Sequence, residues 1–451
     1  MTTMSPPPSG FHRGHLPGLL ERPHLDTVEP GLSGLAQYLT QAGSRLTAPS
    51  GTIEALGLPR SAVRTTEQPA VDRTCVIGPP AARDQLRAAS ATSLDLPALT
   101  SSEAVALLVD ATARSIVVAG TYGTALPAAL TVSALAHLNP AWVVEQPPAG
   151  RAAGHSSGGD LLVAVLPSPS ADAAQCAPTV LLVTGVARTG ADSAEMNQAL
   201  TGLMPLALRS KAVVVEHADL GARLLAERLT AAGHRRVVTV GSNSSCGVRV
   251  VQALWIGVSR VAVSTGGEVH QFTLATPGRH SALAAAAAFA ASLEIGAQPQ
   301  DVASGFTAFP GVPGFLTSST MHEMPQAITV LTSLARCPEE IADDLDAAHE
   351  LTDGKVVLLG DLSAYRPDQA EALARALAEA SHVVLLAAPD DRHDDARTIA
   401  AVLDAGLTRE SVTVLRHGPC EPALPAVLAD LATAGDIVLL LAPLPAYLEA
   451  Q

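Results

Sequence analysis

A chain of 451 residues with 48% apolar side chains is long enough for roughly two to four compact domains, and with only 3% aromatics their cores must be built from Ala, Val and Leu. A net charge of −15, with no compact Lys/Arg cluster to offset it, argues against nucleic acid or an anionic membrane as the main partner. Five dispersed cysteines without a C-x-x-C pair, no apolar signal region in MTTMSPPPSGFHRGHLPG, and no apolar run near the ~20 residues of a spanning helix give the expectation of a reduced, cytoplasmic protein without membrane insertion.

Residues 1–20 are rich in Pro, Gly and Ser and are expected to form a disordered tail. From about Pro23 helical periodicity alternates with short β-branched runs. LSGLAQYLTQAG (Leu32–Gly43) has a helical pattern, TCVIG (Thr74–Gly78) that of a strand, SSEAVALLVDATA (Ser101–Ala113) that of a helix, and RSIVVAG (Arg114–Gly120) that of a strand. Further strands are predicted at Leu161–Leu166, Thr179–Thr184, Ala212–His217 and Arg235–Gly241, with a helix over Leu220–Gly233. Such alternation implies parallel sheets covered by helices.

Gly247–Gly278 breaks this rhythm: it alternates as strands do around a Thr-Gly-Gly turn at Thr265–Gly267, which predicts an antiparallel insertion. An Ala-rich helix follows. A last α/β section has strands predicted at Lys355–Gly360, His382–Ala388, Ser411–Arg416 and Asp436–Pro443. The expected organisation is an α/β protein of three blocks, 21–112, 113–317 and 318–451, with no internal repeat.

Strand IVVAG runs into Thr121-Tyr122-Gly123-Thr124-Ala125-Leu126 and then the helical ALTVSALAHL. Strand, Gly-containing loop and helix are the scaffold of a phosphate-binding loop, whose backbone N–H groups face the anion. Gly120 and Gly123 serve equally well as the glycines of a tight turn, and both roles stand open. VAGTYGTALPAALTVSALAHLNPAWVV resembles the nucleotide loop of the Mur ligases, in particular the branch that joins L-alanine to UDP-N-acetylmuramate, where Gly-Thr-His-Gly-Lys-Thr precedes the helix. The resemblance implies nucleotide-site residues at Gly120, Thr121, Gly123 and Thr124, and adds Arg279 and His280 of the Pro-Gly-Arg-His element. It also sets Thr124 where the family has its phosphate-binding Lys and Ala125 where it has a Mg²⁺-ligating hydroxyl. The only lysines, Lys211 and Lys355, each open a predicted strand.

The resemblance runs through essentially the whole chain and implies the three-domain Mur ligase architecture: a Rossmann-like N-terminal domain of UDP-sugar type, a central ATPase-type domain and a Rossmann-like C-terminal domain. Asp26, Val28 and Glu29 fall on glycine positions of the UDP-sugar loop, leaving Gly31, and two carboxylates there repel a diphosphate. Val165, Pro167 and Ser168 replace three acids, so a hard divalent cation loses its carboxylate ligand. Gly185 and Gly190 stand for an Asn and a metal-associated His; Ser281 and Ala284 for two Asn; Pro313-Gly314 for an Arg pair. Thr332, Leu334, Arg336 and Cys337 stand for Asp, Tyr and two His. The family reaction, in which ATP makes an acyl phosphate that an amine attacks, needs a cation and Mg²⁺ to steady the transferred phosphoryl group.

Taken with these replacements, the resemblance implies a catalytically inactive Mur-ligase-like protein with no catalytic residues, no metal and no cofactor. It would act by binding an active Mur ligase homologue, another cell-wall enzyme or a small metabolite. The alternative is a diverged ATP-dependent amide-forming acid–amino acid ligase, using ATP and magnesium; a third reading is a nucleotide sensor without turnover.

Other candidates have plainer explanations. Pro389–Asp395 fits an exposed loop feeding a helix N-terminus, where acids are favoured, and His12 and His15 lie in the tail. His280 either touches an adenine or packs at the start of the Ala-rich helix. Trp142 and Trp255 are expected to be packing residues, and Ser244-Ser245-Cys246 lacks a nucleophile elbow.

Overall fold

The computed structural model describes residues 20, 23–25, 32–56, 58, 63–65, 75–77, 98–166, 176–186, 193–254, 259–321, 328–362, 365, 369–387, 394–404, 406, 412–416 and 430–441. The fold is α/β, and the chain divides into two compact units. One draws on Met1–Val186, Asn197–Val240 and Ala287–Gly305, the other on Ala187–Met196, Gly241–Ala286 and Phe306–Gln451. Among the described residues no helix is long and apolar enough to cross a membrane.

The first unit opens with β1 (Pro23–Leu25), α1 (Leu32–Gln41), β2 (Leu46–Ala48), α2 (Ser50–Ala55), β3 (Val63–Thr65), β4 (Cys75–Ile77), β5 (Ala98–Leu99) and α3 (Ser101–Ala111). Its five strands are parallel, in the order β3-β2-β1-β4-β5. Helix α1 buries Leu32, Leu35, Ala36 and Leu39, the three-to-four spacing of an amphipathic helix. Helix α3 begins with a capping box: Glu103 N–H donates to Thr100 Oγ1 (3.1 Å) and Thr100 N–H to Glu103 Oε2 (2.6 Å).

The same unit continues with β6 (Arg114–Ala119), α4 (Ala125–Ala134), β7 (Ala141–Val143), β8 (Gly154–His155), β9 (Leu161–Leu166), β10 (Val180–Val183), α5 (Ser193–Arg209), β11 (Ala212–Glu216), α6 (Leu220–Ala231) and β12 (Val237–Gly241). The strand order is β12-β11-β10-β6-β9-β7-β8, parallel except for the β7–β8 pair. β9 and β10 are buried along their whole length and β6 from Ser115 onward. This explains why they are unbroken Val/Leu/Ile/Ala runs: a parallel strand covered on both faces has no polar side to show.

α1 meets β8 with almost no gap. A Cβ on Gly154 would lie 1.8 Å from Gly34 O, and one on Gly34 would lie 2.6 Å from Val144 O. Gln41 and Gln37 stitch the same seam, Gln41 Nε2 donating to Gly154 O (3.3 Å) and Gln37 Oε1 accepting from Gly154 N–H (3.1 Å). Beside it the Trp142 ring stacks on His155 at 4.2 Å and lies under Arg151, its Nε1–H bonded to Ala152 O at 2.9 Å.

The second unit contains the expected antiparallel insertion as β13 (Val248–Leu254), β14 (Ser259–Thr265) and β15 (Glu268–Leu274). Its hairpin turn places Gly266 at φ 58° and Gly267 at φ 87°, the two left-handed residues that a two-residue loop of matching twist requires. Next come α7 (Arg279–Glu294), shared between the units, and α8 (Pro299–Thr307). The last section is β16 (Thr317–Met321), β17 (Ile328–Ser333), α9 (Pro338–Leu351), β18 (Val356–Asp361), α10 (Ala370–Leu377), β19 (His382–Ala387), α11 (Asp394–Asp404), β20 (Val412–Arg416) and β21 (Ile437–Leu441). Their order is β16-β17-β21-β18-β19-β20, with only β16 antiparallel.

Candidate functional site

The loop after β6 is built as the sequence implies, a turn between a buried strand and the start of α4. Two of its N–H groups, however, are turned inward. Thr121 N–H donates to Gly185 O at 2.7 Å and Tyr122 N–H to the same oxygen at 3.4 Å. Thr121 Oγ1 donates to Val186 O (2.7 Å), and Thr184 Oγ1 donates to Tyr122 O (2.7 Å). The segment after β10 thus forms a small antiparallel bridge with the loop at Tyr122 and Gly185.

Glycine is required on both sides of that bridge. A Cβ on Gly120 would lie 2.2 Å from Thr184 Oγ1, and one on Gly185 would lie 2.2–2.4 Å from three carbons of the Tyr122 ring. The ring therefore rests on bare backbone. Its hydroxyl donates to Asp219 Oδ2 at 3.2 Å, while Asp219 Oδ1 accepts from Ala222 N–H (2.6 Å), capping α6, and from Val186 N–H (3.3 Å). One carboxylate ties three segments together.

Gly123 takes φ 71°, so the tight-turn role is real. Thr124 is the residue before α4, but its side chain makes no capping bond, and the first turn of α4 is Ala-Leu-Pro. What faces an incoming anion is the helix dipole without a side-chain cation, a weaker attraction than a lysine supplies. Lys211 does not fill the gap. It precedes β11, at the opposite end of a parallel sheet from the loop, about 16 Å away for a five-residue strand.

Val165 is a buried apolar residue on β9, and among the described residues no group of three or more His, Cys, Asp or Glu could hold a metal ion. Asp26, Val28, Glu29, Gly31, Pro167, Ser168, Gly190, His12, His15, Trp255 and Pro389–His393 fall outside the described residues; Asp394 and Asp395 open α11.

Arg279 and His280 start α7 and belong to the second unit, whereas Gly120, Thr121, Gly123 and Thr124 belong to the first. His280 packs at the start of α7. Its Nε2 lies 3.7 Å from Asp344 Oδ1 and 3.4 Å from Ser281 Oγ, with its ring 5.7 Å from that of Phe315. Burial drags its pKa down to about 4, so the ring is neutral. Ser281 Oγ is spent on Pro277 O at 2.6 Å.

Around it, Leu334 packs on Gly314, whose Cβ would lie 3.1 Å from Leu334 Cγ. Arg336 N–H donates to Glu340 Oε2 (2.7 Å), and Cys337 is buried, which pushes its thiol pKa upward. Sequence reasoning missed Tyr122, Gly185 and Asp219 as one assembly, whose partners are 63 and 97 residues apart. It also missed Asp344, for which a signal existed: Ile341, Asp344, Leu345 and Ala348 share one helical stripe, and an acid within an apolar stripe marks a buried carboxyl.

Against known proteins, residues 320–443 match the Mur ligase glutamate ligase domain. The chain is 29% identical over 447 residues to a UDP-N-acetylmuramate–L-alanine ligase of Streptomyces avermitilis, covering 94% of this chain and 95% of that one. Its fold superposes on the UDP-N-acetylmuramate–alanine ligase MurC of Thermotoga maritima with a TM-score of 0.69 at 16% identity, over 96% of this chain and 100% of the other. A Mycobacterium tuberculosis folylpolyglutamate synthase complexed with ADP superposes at TM-score 0.59 and 15% identity, over 75% and 89%. The chain thus shares its α/β architecture, its strand–loop–helix after β6 and similarity along nearly its whole length with the Mur ligases, and residues 320–443 match that family's glutamate ligase domain.

Proposed function

We propose that this chain is a Mur-ligase-like protein that acts by binding and does not run ATP-dependent amide formation at the loop after β6. The observation that carries the reading is the closed state of that loop. Two of its N–H groups are committed to Gly185 O, and the Tyr122 ring is seated on Gly185 and anchored to Asp219. Phosphoryl transfer is catalysed almost entirely by placed charge and donors, and the loop sequence Gly120–Ala125 contains neither lysine nor acid. The partners that fit are an active Mur ligase homologue, another cell-wall enzyme, or a small metabolite held by the inherited scaffold.

A second reading has its own support. Kinship over 95% of a protein named as a UDP-N-acetylmuramate–L-alanine ligase favours a diverged acid–amino acid ligase whose ATP and magnesium are held by a rebuilt site. Calorimetry with ATP–Mg²⁺ and with UDP-N-acetylmuramate, followed by an ADP-release assay with L-alanine, separates the two. Amino-acid-dependent ADP release would overturn the binding-protein reading. Binding of UDP-N-acetylmuramate or ATP without turnover, or of neither, supports it and identifies which half of the old scaffold still recognises a ligand.

A further inference from the structure

Three elements of the second unit meet at a carboxyl group that, among the described residues, has no Lys or Arg paired with it. Asp344, on α9, is 3% exposed. Its Oδ2 accepts the hydroxyl proton of the fully buried Ser333, at the end of β17, at 2.5 Å; Ser333 Oγ in turn accepts Ala335 N–H at 3.1 Å. Its Oδ1 faces His280 Nε2, at the start of α7, at 3.7 Å. Its helix neighbours Ile341, Leu345 and Ala348 belong to a hydrophobic core shared with Val356 and Leu358 of β18 and Leu439 of β21. The ionisable groups acting on the cluster are Glu340 and Asp343 from its own helix, His280 from α7, and Tyr365 after β18; Arg279 acts on Asp343, and Cys337 on Tyr365.

We propose that Ser333, Asp344 and His280 form a proton-dependent latch. It holds α9 against β17 and the first turn of α7 while the Asp–His pair keeps one proton, and it loosens when that proton leaves.

The physical reason is desolvation. A buried carboxylate facing only a neutral imidazole and one hydroxyl has no compensation for its lost water, so the acid form is preferred. Burial accordingly raises Asp344 to about 8, while it lowers His280 to about 4. The ordinary values of the two groups are 3.8 and 6.5, and these hold once the latch is open to water. Between about pH 4 and 6.5 the closed pair holds its proton on Asp344 and the open pair on His280. The pair's counts are equal there, so the pair itself adds no pH dependence; Asp343 on the same helix, raised to about 7 by burial and the neighbouring acids, adds a fall of its own up to about pH 7. Between 6.5 and about 8 only the closed form keeps the proton, so closure weakens about tenfold per pH unit, or ~30-fold in all. The device operates whether or not a ligand binds, but it controls the segment that carries Arg279 and His280.

Hydrogen exchange of the full chain, read by mass spectrometry on peptides across residues 338–351 and corrected for intrinsic rates, tests this. Protection should keep falling about tenfold from pH 7 to 8, beyond the titration of Asp343, and Asp344→Asn should remove that part of the fall. Protection in the native chain that does not change over that range, or the same slope there in Asp344→Asn, overturns the latch. Should that variant fail to fold, infrared spectra of the unaltered chain with ¹³C-labelled Asp decide. A buried carboxylic-acid band at pH 7 that fades through about pH 8 supports the latch, and its absence at pH 7 overturns it.

Discussion

The closed loop rests on a carboxylate whose contribution can be dissected. Asp219 accepts three hydrogen bonds: the α6 cap from Ala222 N–H at 2.6 Å, the Tyr122 hydroxyl at 3.2 Å, and Val186 N–H at 3.3 Å. A lost N-cap costs about 1 kcal/mol, a hydroxyl bond to a partly exposed carboxylate about 1 kcal/mol, and a long amide bond roughly half that. Asp219→Ala should therefore destabilise the first unit by ~2–3 kcal/mol. Tyr122→Phe leaves the ring on Gly185 and removes a single bond, so it should cost ~1 kcal/mol. Because both variants delete the same contact, the double variant should cost no more than Asp219→Ala, giving a coupling of ~1 kcal/mol. Urea unfolding followed by circular dichroism measures all four proteins. A coupling below about 0.3 kcal/mol, within the additivity error for unconnected sites, would refute the claim that Tyr122 is fastened shut by Asp219.

Gly154→Ala places a methyl group 1.8 Å from Gly34 O and should cost about 3 kcal/mol or more, whereas Gly51→Ala, with nothing within 4 Å inside α2, should stabilise by up to ~1 kcal/mol; thermal melts compare them directly. Among the described cysteines, Cys75, Cys176 and Cys337 are buried and Cys246 is half-buried, and Cys176 is pushed to about 12 by burial and by the nearby Asp110. A thiol-disulfide reagent added to the native chain, with the products mapped by peptide mass, should label Cys246 before these three, and early labelling of Cys176 would contradict its burial.

The longer strands could be located from sequence because burial on both faces leaves only apolar β-branched runs there. Leu161–Leu166 was placed to the residue, and the strand over Arg114–Gly120 ends one residue earlier, at Ala119. The short strands escaped notice. Leu46–Ala48, Val63–Thr65, Ala98–Leu99 and Gly154–His155 are two or three residues long, too few to show a period, and partners distant in sequence hold them. The same holds for β16, whose Thr-Ser-Ser-Thr-Met is a polar edge strand. At the site, Gly120 and Gly123 were identifiable because glycine has few reasons to follow a strand. The rest was hidden, since a tyrosine in a loop gives no hint that its counterpart is a glycine 63 positions on. His280 was ambiguous for a similar reason: the acid it faces lies 64 residues further along.

The stacked Trp142 has a practical consequence. The chain carries two indoles, Trp142 and Trp255. Trp142 is 7% exposed, with an imidazole and a guanidinium against its ring beside the α1–β8 seam. Once Trp255 is replaced by Phe, the remaining emission becomes an internal gauge of that seam. Its intensity reports quenching by His155 and its wavelength reports water entry. Fluorescence then follows events in the first unit while exchange across α9 follows the second, so one sample yields two independent clocks.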